Sequence, residues 1–230
     1  MENPASKRRI DREKKRWDEE SQSYDSYHEG KWGFIFDHIA ALVSDEITAE
    51  CRIVELGCGT GLVTLRLATL QCNVLGYDIS EGALQVAREK AAARSHHNVS
   101  FEKGDAYNIP ESDASFDIVL CCYLLDVVED PSAVLLEAKR LLKPGGTLVT
   151  VTDCFQDTHV VSNSRKILRA IKRAVFKVFP RKALTHIPHD TILTNLTRDA
   201  GYRVVDTSIL DLGLESQGLF NLYIKAKPLF

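Results

Sequence analysis

Val54-Glu55-Leu56-Gly57-Cys58-Gly59-Thr60-Gly61 is the stretch on which the fold turns. The apolar run CRIVEL (51–56) ahead of it reads as a buried strand, and GLVTLRLATL (61–70) behind it as a helix. Glycines at 57, 59 and 61 let the chain pass sharply from strand to helix and let backbone approach a ligand with no Cβ in the way. The helix start offers free N–H groups. A dinucleotide fingerprint would close on Gly or Ala at its sixth position, which here is Leu62, so the match to a nicotinamide-binding turn is imperfect.

The same alternation continues on both sides. CNVLGYD predicts a second strand ending at Asp78, and SEGALQVAREKAAAR a helix whose Leu84, Ala87 and Ala91 share one face. NVSFEKG, FDIVLCC and TLVTVTD predict further strands. Asp130 and Pro131 form an N-cap and first-turn pair, and Lys139, Arg140 and Lys143 suit the negative end of the helix that follows. TILTNLTRDA predicts a helix closed by Gly201, and YRVVDTSIL and LFNLYIKAK, with no helix between them, predict antiparallel neighbours. The expected fold is α/β, a Rossmann-like three-layer sandwich with a mostly parallel seven-stranded sheet and an antiparallel last strand. It is read as one domain over 1–230, with a helical cap (1–48), a binding core (51–153), a basic lid insertion (154–190) and a C-terminal helix and strand pair (191–230). Within the cap, a charged helical arm of about sixteen residues precedes an aromatic-rich stretch and then the helical run GFIFDHIAALVSDEI.

No apolar stretch reaches membrane-spanning length, and the charged start MENPASKRRIDREKKRW is no secretory signal, so a cytoplasmic protein is expected. Cys51, Cys58, Cys72, Cys121, Cys122 and Cys154 include no C-x-x-C pair and read as buried reduced thiols, with no metal site. Net charge is −3, yet Thr158 to His189 holds eight Lys and Arg and no Asp or Glu. There Ile167, Ile171, Val175 and Val178 mark one apolar face. The segment reads as an amphipathic lid, or as a contact for an anionic substrate or anionic membrane through 165–182. The modest pI of 6.2 and the lack of a reading module argue against nucleic acid.

Asp78 stands at a strand end about twenty residues beyond the glycines, where a carboxylate can accept from both hydroxyls of a ribose. Asp105 follows the third strand in the same way. Together VELGCGTG, the Asp78 of GYDIS, the GDA at 104–106, FDIVLCCYLLDVVED and LLKPGG resemble the class I S-adenosylmethionine-dependent methyltransferases, in particular the quinone and small-molecule (type 11) group. The resemblance covers Arg52 to Asp153. It implies S-adenosyl-L-methionine as cofactor and a small-molecule acceptor, hydrophobic or anionic. By resemblance, Glu55 with the turn Gly57, Cys58, Gly59 and Gly61 holds the methionine end. Asp78 holds the ribose, Ile79 packs on the adenine, and Asp105 and Ala106 face its edge. Cys121, Cys122 and Tyr123 would line the wall after the fourth strand, while Tyr24, Tyr27 and Trp32 would close over the sulfonium, a cation suited to aromatic faces.

A sulfonium donor already carries a good leaving group, so alignment matters most and a base is needed only where the acceptor must lose a proton. Asp126, after the fourth strand, and His159, beyond the fifth, are the candidate catalytic groups; His186 and His189 flank Pro188 nearby. Four other readings stay open: an NAD(P)-dependent oxidoreductase, a non-catalytic binder of the same cofactor, an enzyme using the cofactor's charge for cyclisation, and a nucleic-acid methyltransferase.

Overall fold

The structure, a computed structural model, describes residues 4–48, 50–70, 72–155, 190–210 and 219–229. Its strands are β1 Arg52–Leu56, β2 Asn73–Asp78, β3 Val99–Lys103, β4 Phe116–Cys122, β5 Leu142–Phe155, β6 Tyr202–Leu210 and β7 Leu219–Pro228. They form one sheet in the order β3-β2-β1-β4-β5-β7-β6. β1 pairs in parallel with β2 and β4, β2 with β3, and β4 with β5. Only β7 runs antiparallel, between β5 and β6. The expected mostly parallel sheet with a reversed last strand is the sheet observed, and the two final strands pair as anticipated.

The helices are α1 Pro4–Ser44, α2 Thr64–Leu67, α3 Glu81–Ala93, α4 Pro131–Leu141 and α5 Asp190–Asp199. One sheet face meets Ile35, Phe36, Ile39 and Val43 of α1 together with Leu62, Val63 and Leu67 around α2. Leu84, Ala87 and Ala91 of α3 pack with Phe101 of β3. The other face meets Val134, Leu135, Ala138 and Leu141 of α4 and Leu193 of α5. Alternate strand residues thus enter different cores, as a sheet covered on both faces requires. The Asp130 carboxylate accepts from Ala133 N–H at 3.1 Å and Ser80 Oγ accepts from Ala83 N–H at 3.1 Å, so α4 and α3 are both capped, at about 1 kcal/mol each.

Three boundaries differ from expectation. The cap is one continuous helix rather than an arm and a second helix, because no proline interrupts 5–44 and packing of its last turns offsets the helical cost of Gly30 and Gly33, about 1 kcal/mol each. The run 61–70 yields only the single turn α2 and a 3-10 turn over Ala68–Leu70. Val63, Thr64 and Thr69 are weak helix formers, and Thr69 Oγ donates back to Arg66 O at 2.7 Å. β5 starts at Leu142, ahead of Gly145 and Gly146, so the glycines lie within the strand rather than before it. Among the described residues no helix is long and apolar enough to cross a membrane. All six cysteines are buried free thiols.

Candidate functional site

The sheet order reverses at β1, whose neighbours β2 and β4 lead in opposite directions, and a crevice opens at the carboxyl ends of strands at such a point. The glycine turn shapes it. Gly57 and Cys58 N–H both donate to Tyr77 O, at 2.8 and 3.0 Å, which fixes the end of β1 against β2. Gly59 N–H donates to Asp78 Oδ2 at 2.8 Å, and Ser80 N–H to Asp78 Oδ1 at 2.9 Å. Gly57, Gly59 and Gly61 have φ of +72°, +52° and +79°. Asp78 therefore braces the turn it faces and lines the cavity as well. Burial pushes its carboxyl above the usual range.

A cavity of about 470 Å³ lies above these strand ends, within the size range of small-molecule sites. Glu55, Gly57, Cys58, Gly59, Asp78 and Ile79 contribute to one side, Asp105, Ala106, Cys122 and Tyr123 to another, and Tyr24 to the roof. Glu55 is 2% exposed; Thr64 Oγ donates to its carboxylate, and burial pushes the group up to about 7. Asp105 Oδ1 accepts from Tyr107 N–H at 3.0 Å, an Asx turn that presents the 105–107 loop to the cavity. The lining is one-sided in charge. It carries Glu55, Asp78, Asp105, Glu129 and Asp130, and no Lys, Arg or His among the described residues.

Helix α1 roofs the cavity with Trp17, Ser21 and Tyr24, spaced so that they share a face. Two aspartates lock it down. Asp18 Oδ1 accepts from Ser80 Oγ at 2.7 Å and Gly82 N–H at 2.9 Å, at the positive end of α3. Asp25 accepts from Thr60 Oγ and from Lys90 Nζ, each at 2.5 Å. Farther along, Arg66 joins Glu29 and Asp37. Tyr24 stacks on His28 at 3.9 Å and meets the edge of Trp17 at 5.8 Å.

The structure gathers Tyr24, Glu55, Gly57, Cys58, Gly59, Asp78, Ile79, Asp105, Ala106, Cys122 and Tyr123 at one cavity. It corrects two assignments, those of Gly61 and Cys121. Gly61 does not line the cavity; a Cβ there would lie 2.9 Å from the Phe101 ring, so it is a packing glycine. Cys121 points into the opposite core, because successive residues of β4 face opposite ways. Asp126 is not in the cavity wall but buried beside it, 7% exposed. The side chains of Tyr27 and Trp32, as well as His159, His186, His189 and the basic segment 165–182, lie outside the described residues. Residue-by-residue reading missed Trp17, Ser21, Phe36, Thr60 and Tyr107. The period of Trp17, Ser21 and Tyr24 was the available signal; Tyr107 had none, since it lines the cavity only because its hydroxyl accepts from Glu129 and Asp130 N–H, both at 3.0 Å.

Known proteins resemble this chain in sequence and fold. A demethylmenaquinone methyltransferase of Shouchella clausii is 39% identical over 107 residues, 45% of this chain and 46% of that one. A ubiquinone biosynthesis O-methyltransferase of Coxiella burnetii is 28% identical over 169 residues, 71% of this chain and 69% of that one. The chain spans just under half the length of the first of these relatives. Among solved structures, a geranyl diphosphate methyltransferase in complex with S-adenosylmethionine superposes with a TM-score of 0.68 at 18% identity, over 84% of this chain and 85% of that one. The family model described as a methyltransferase domain matches residues 47–201. The chain thus belongs to the class I S-adenosylmethionine-dependent methyltransferase family.

Proposed function

We propose that the protein transfers a methyl group from S-adenosylmethionine to a small, largely apolar acceptor. The observation that carries this reading is the charge of the cavity: among the described residues, five carboxylic acids line it and no Lys, Arg or His does. A dinucleotide would bring its pyrophosphate onto those carboxylates, whereas a sulfonium and an ammonium are attracted by them. The one-turn α2 also offers a poor helix N-terminus for a phosphate.

The residues present fit the cofactor. Glu55, held at about 7 by burial, ionises more readily beside the ammonium of the methionine tail. Asp78 lines the cavity as an acceptor for the ribose hydroxyls, Ile79 offers an apolar face to the adenine, and the 105–106 backbone its edge. When bound, the cofactor supplies a methyl group already activated on a cationic sulfur. The chain's own work is alignment and the exclusion of water, and α1 does both by bringing Tyr24 and Trp17 over the cavity. Residues 1–48 act as this cap, 51–153 as the cofactor core and 191–230 as the sheet's closing edge, in one cytoplasmic domain. The quinone names of the relatives support a ring-sized acceptor.

Equilibrium dialysis with S-adenosylmethionine, NADH and NADPH tests the cofactor. Binding of the first alone is expected, weakened about tenfold or more by Asp78→Asn through lost charge-assisted hydrogen bonds. Label from methyl-labelled cofactor should then appear in a small organic-soluble product. Nicotinamide binding without S-adenosylmethionine binding reverses the reading, and label that stays on the donor points to a binder or cyclase.

A further inference from the structure

Beside the cavity, at the ends of β4, β5 and β7, is a buried polar group that cofactor binding leaves unused. Tyr123 follows β4 with φ of +54°, a left-handed conformation costly for an aromatic residue. Its hydroxyl donates to Asn221 Oδ1 at 2.7 Å, and Asn221 Nδ2 donates to Asp153 Oδ1. Asp126 lies within electrostatic reach of Asp153 at the end of this chain of contacts. It is 7% exposed, and its Oδ1 accepts no hydrogen bond. Tyr24 of α1 completes the surroundings, with Asp25 and Asp78 farther off. No ion pair with Lys or Arg neutralises Asp126 or Asp153 among the described residues.

A carboxylate with an idle buried oxygen is expensive; leaving such a group unsatisfied costs about 1–3 kcal/mol or more. An apolar side chain of similar size would fill the space without that cost. An idle acceptor next to a ligand cavity is explained when a ligand brings the donor. Tyr24 and Tyr123 line the cavity within electrostatic reach of both carboxyls, and Phe36, Leu124 and Val127 add apolar wall. The partner that fits is a flat ring carrying a hydroxyl.

On the methyltransferase reading, we propose that Asp126 and Asp153 form a carboxyl pair that receives the ring hydroxyl of the acceptor between Tyr24 and Tyr123, so that oxygen is the atom methylated. The acceptor's O–H bond breaks, its proton going to the pair and its electrons staying on oxygen. That oxygen bonds the methyl carbon, whose former bonding pair departs with the donor sulfur. The environment supports this role: burial, and then the charge of Asp153, push Asp126 well above the ordinary carboxylate range, and burial raises Asp153 as well. Such a pair holds one proton and takes another near neutral pH.

The test compares 2-naphthol with 2-methoxynaphthalene, which keeps the ring and lacks the donor, by fluorescence titration of the full chain with S-adenosylhomocysteine bound. The wild type is expected to prefer the naphthol by about tenfold or more, since a site built for a hydroxyl rejects its absence. Asp126→Leu and Asp153→Asn should each reduce the preference to within about threefold and leave S-adenosylhomocysteine affinity unchanged. Asp126→Leu should also melt at or above the wild-type temperature, which a merely structural Asp126 would not allow. If that variant loses S-adenosylhomocysteine binding, the smaller apolar Asp126→Val decides on the same criterion. A wild type without preference, or a preference retained in both carboxyl variants, overturns the proposal. A wild type that binds neither S-adenosylmethionine nor S-adenosylhomocysteine overturns the underlying methyltransferase reading instead.

Discussion

A single added methyl group separates the roles of Gly59 and Gly61. Both have positive φ, so alanine at either position costs about 1–2 kcal/mol in backbone strain. Around Gly59 there is open space, and the residue lines the cavity. Gly59→Ala should therefore lose about 1 kcal/mol in denaturant unfolding but weaken S-adenosylmethionine binding by about tenfold or more, as its methyl enters the ligand's space. At Gly61 the same methyl meets Phe101, which is 3% exposed, at 2.9 Å. Overpacking adds about 1–3 kcal/mol to the strain, so Gly61→Ala should lose about 2–5 kcal/mol, its main defect being stability. Equal stability losses for the two variants would contradict this division. The spacing of the glycines announced the turn but not which side of it each residue serves. The same limit explains Cys121 and Cys122: the sequence locates the strand end, while the pleat decides which thiol reaches the cavity. Glu55, Asp78 and Asp105 were readable because each ends a strand, and parallel strand ends converge.

Helix α1 is held to the domain by side chains that no local pattern pairs. Asp18 serves α3 from outside, accepting from Ser80 and Gly82 across more than sixty residues of chain. Asp25 bridges Thr60 in the glycine turn and Lys90 on α3, a cation 21% exposed. Replacing Asp25 with alanine leaves that ammonium without its partner and should cost about 1–3 kcal/mol. The loss should be local. In Asp25→Ala, amide exchange across 17–25 is expected to speed up about tenfold, exchange in β1 to stay unchanged, and S-adenosylmethionine to bind less tightly. Unaltered exchange in α1 would show that the helix does not depend on this latch. Sequence reading saw helix in both halves of α1 but divided them, since glycines and charge interrupt the apolar pattern there. It extended α2 too far for the opposite reason: apolar residues recur through 61–70, yet burial of Leu65 and Leu67 under the sheet holds a single turn and does not require a longer helix.

At the scale of the whole molecule, alternating strands and helices gave away a parallel sheet, and the helix-free link between the last two strands gave away the hairpin. The place of β7 between β5 and β6 was hidden, because an antiparallel pair can join a sheet by either member. Stacking the strand ends has an electrostatic consequence that only the folded chain reveals. Burial raises Asp78, Asp126 and Asp153 above ordinary carboxylate values and Glu55 to about 7. Each of these groups keeps its proton in the folded chain at pH values where the unfolded chain has lost it. The contribution of Asp153, Asp126 and Glu55 is therefore fully present below about pH 4 and declines as pH rises through about 6 to about 7, and that of Asp78 has the same sign. Glu46, held down to about 2 chiefly by Lys225, works at the other end, its contribution being lost as pH falls below the usual carboxylate range. His28, whose proton affinity burial lowers, favours the fold as pH rises, but it is one group against four carboxyls. Calorimetric melting of the ligand-free protein at constant ionic strength should give a higher Tm at pH 5 than at pH 8, and Asp126→Asn should narrow the gap by removing one of the charges that must be buried. S-adenosylmethionine should narrow it too, since its cationic groups neutralise Glu55 in its ionised form, and its binding near pH 6.5 should release protons. A Tm that climbs from pH 5 to pH 8 would mean that these carboxyls are not buried together at the strand ends, and the acidic cavity would lose its physical basis.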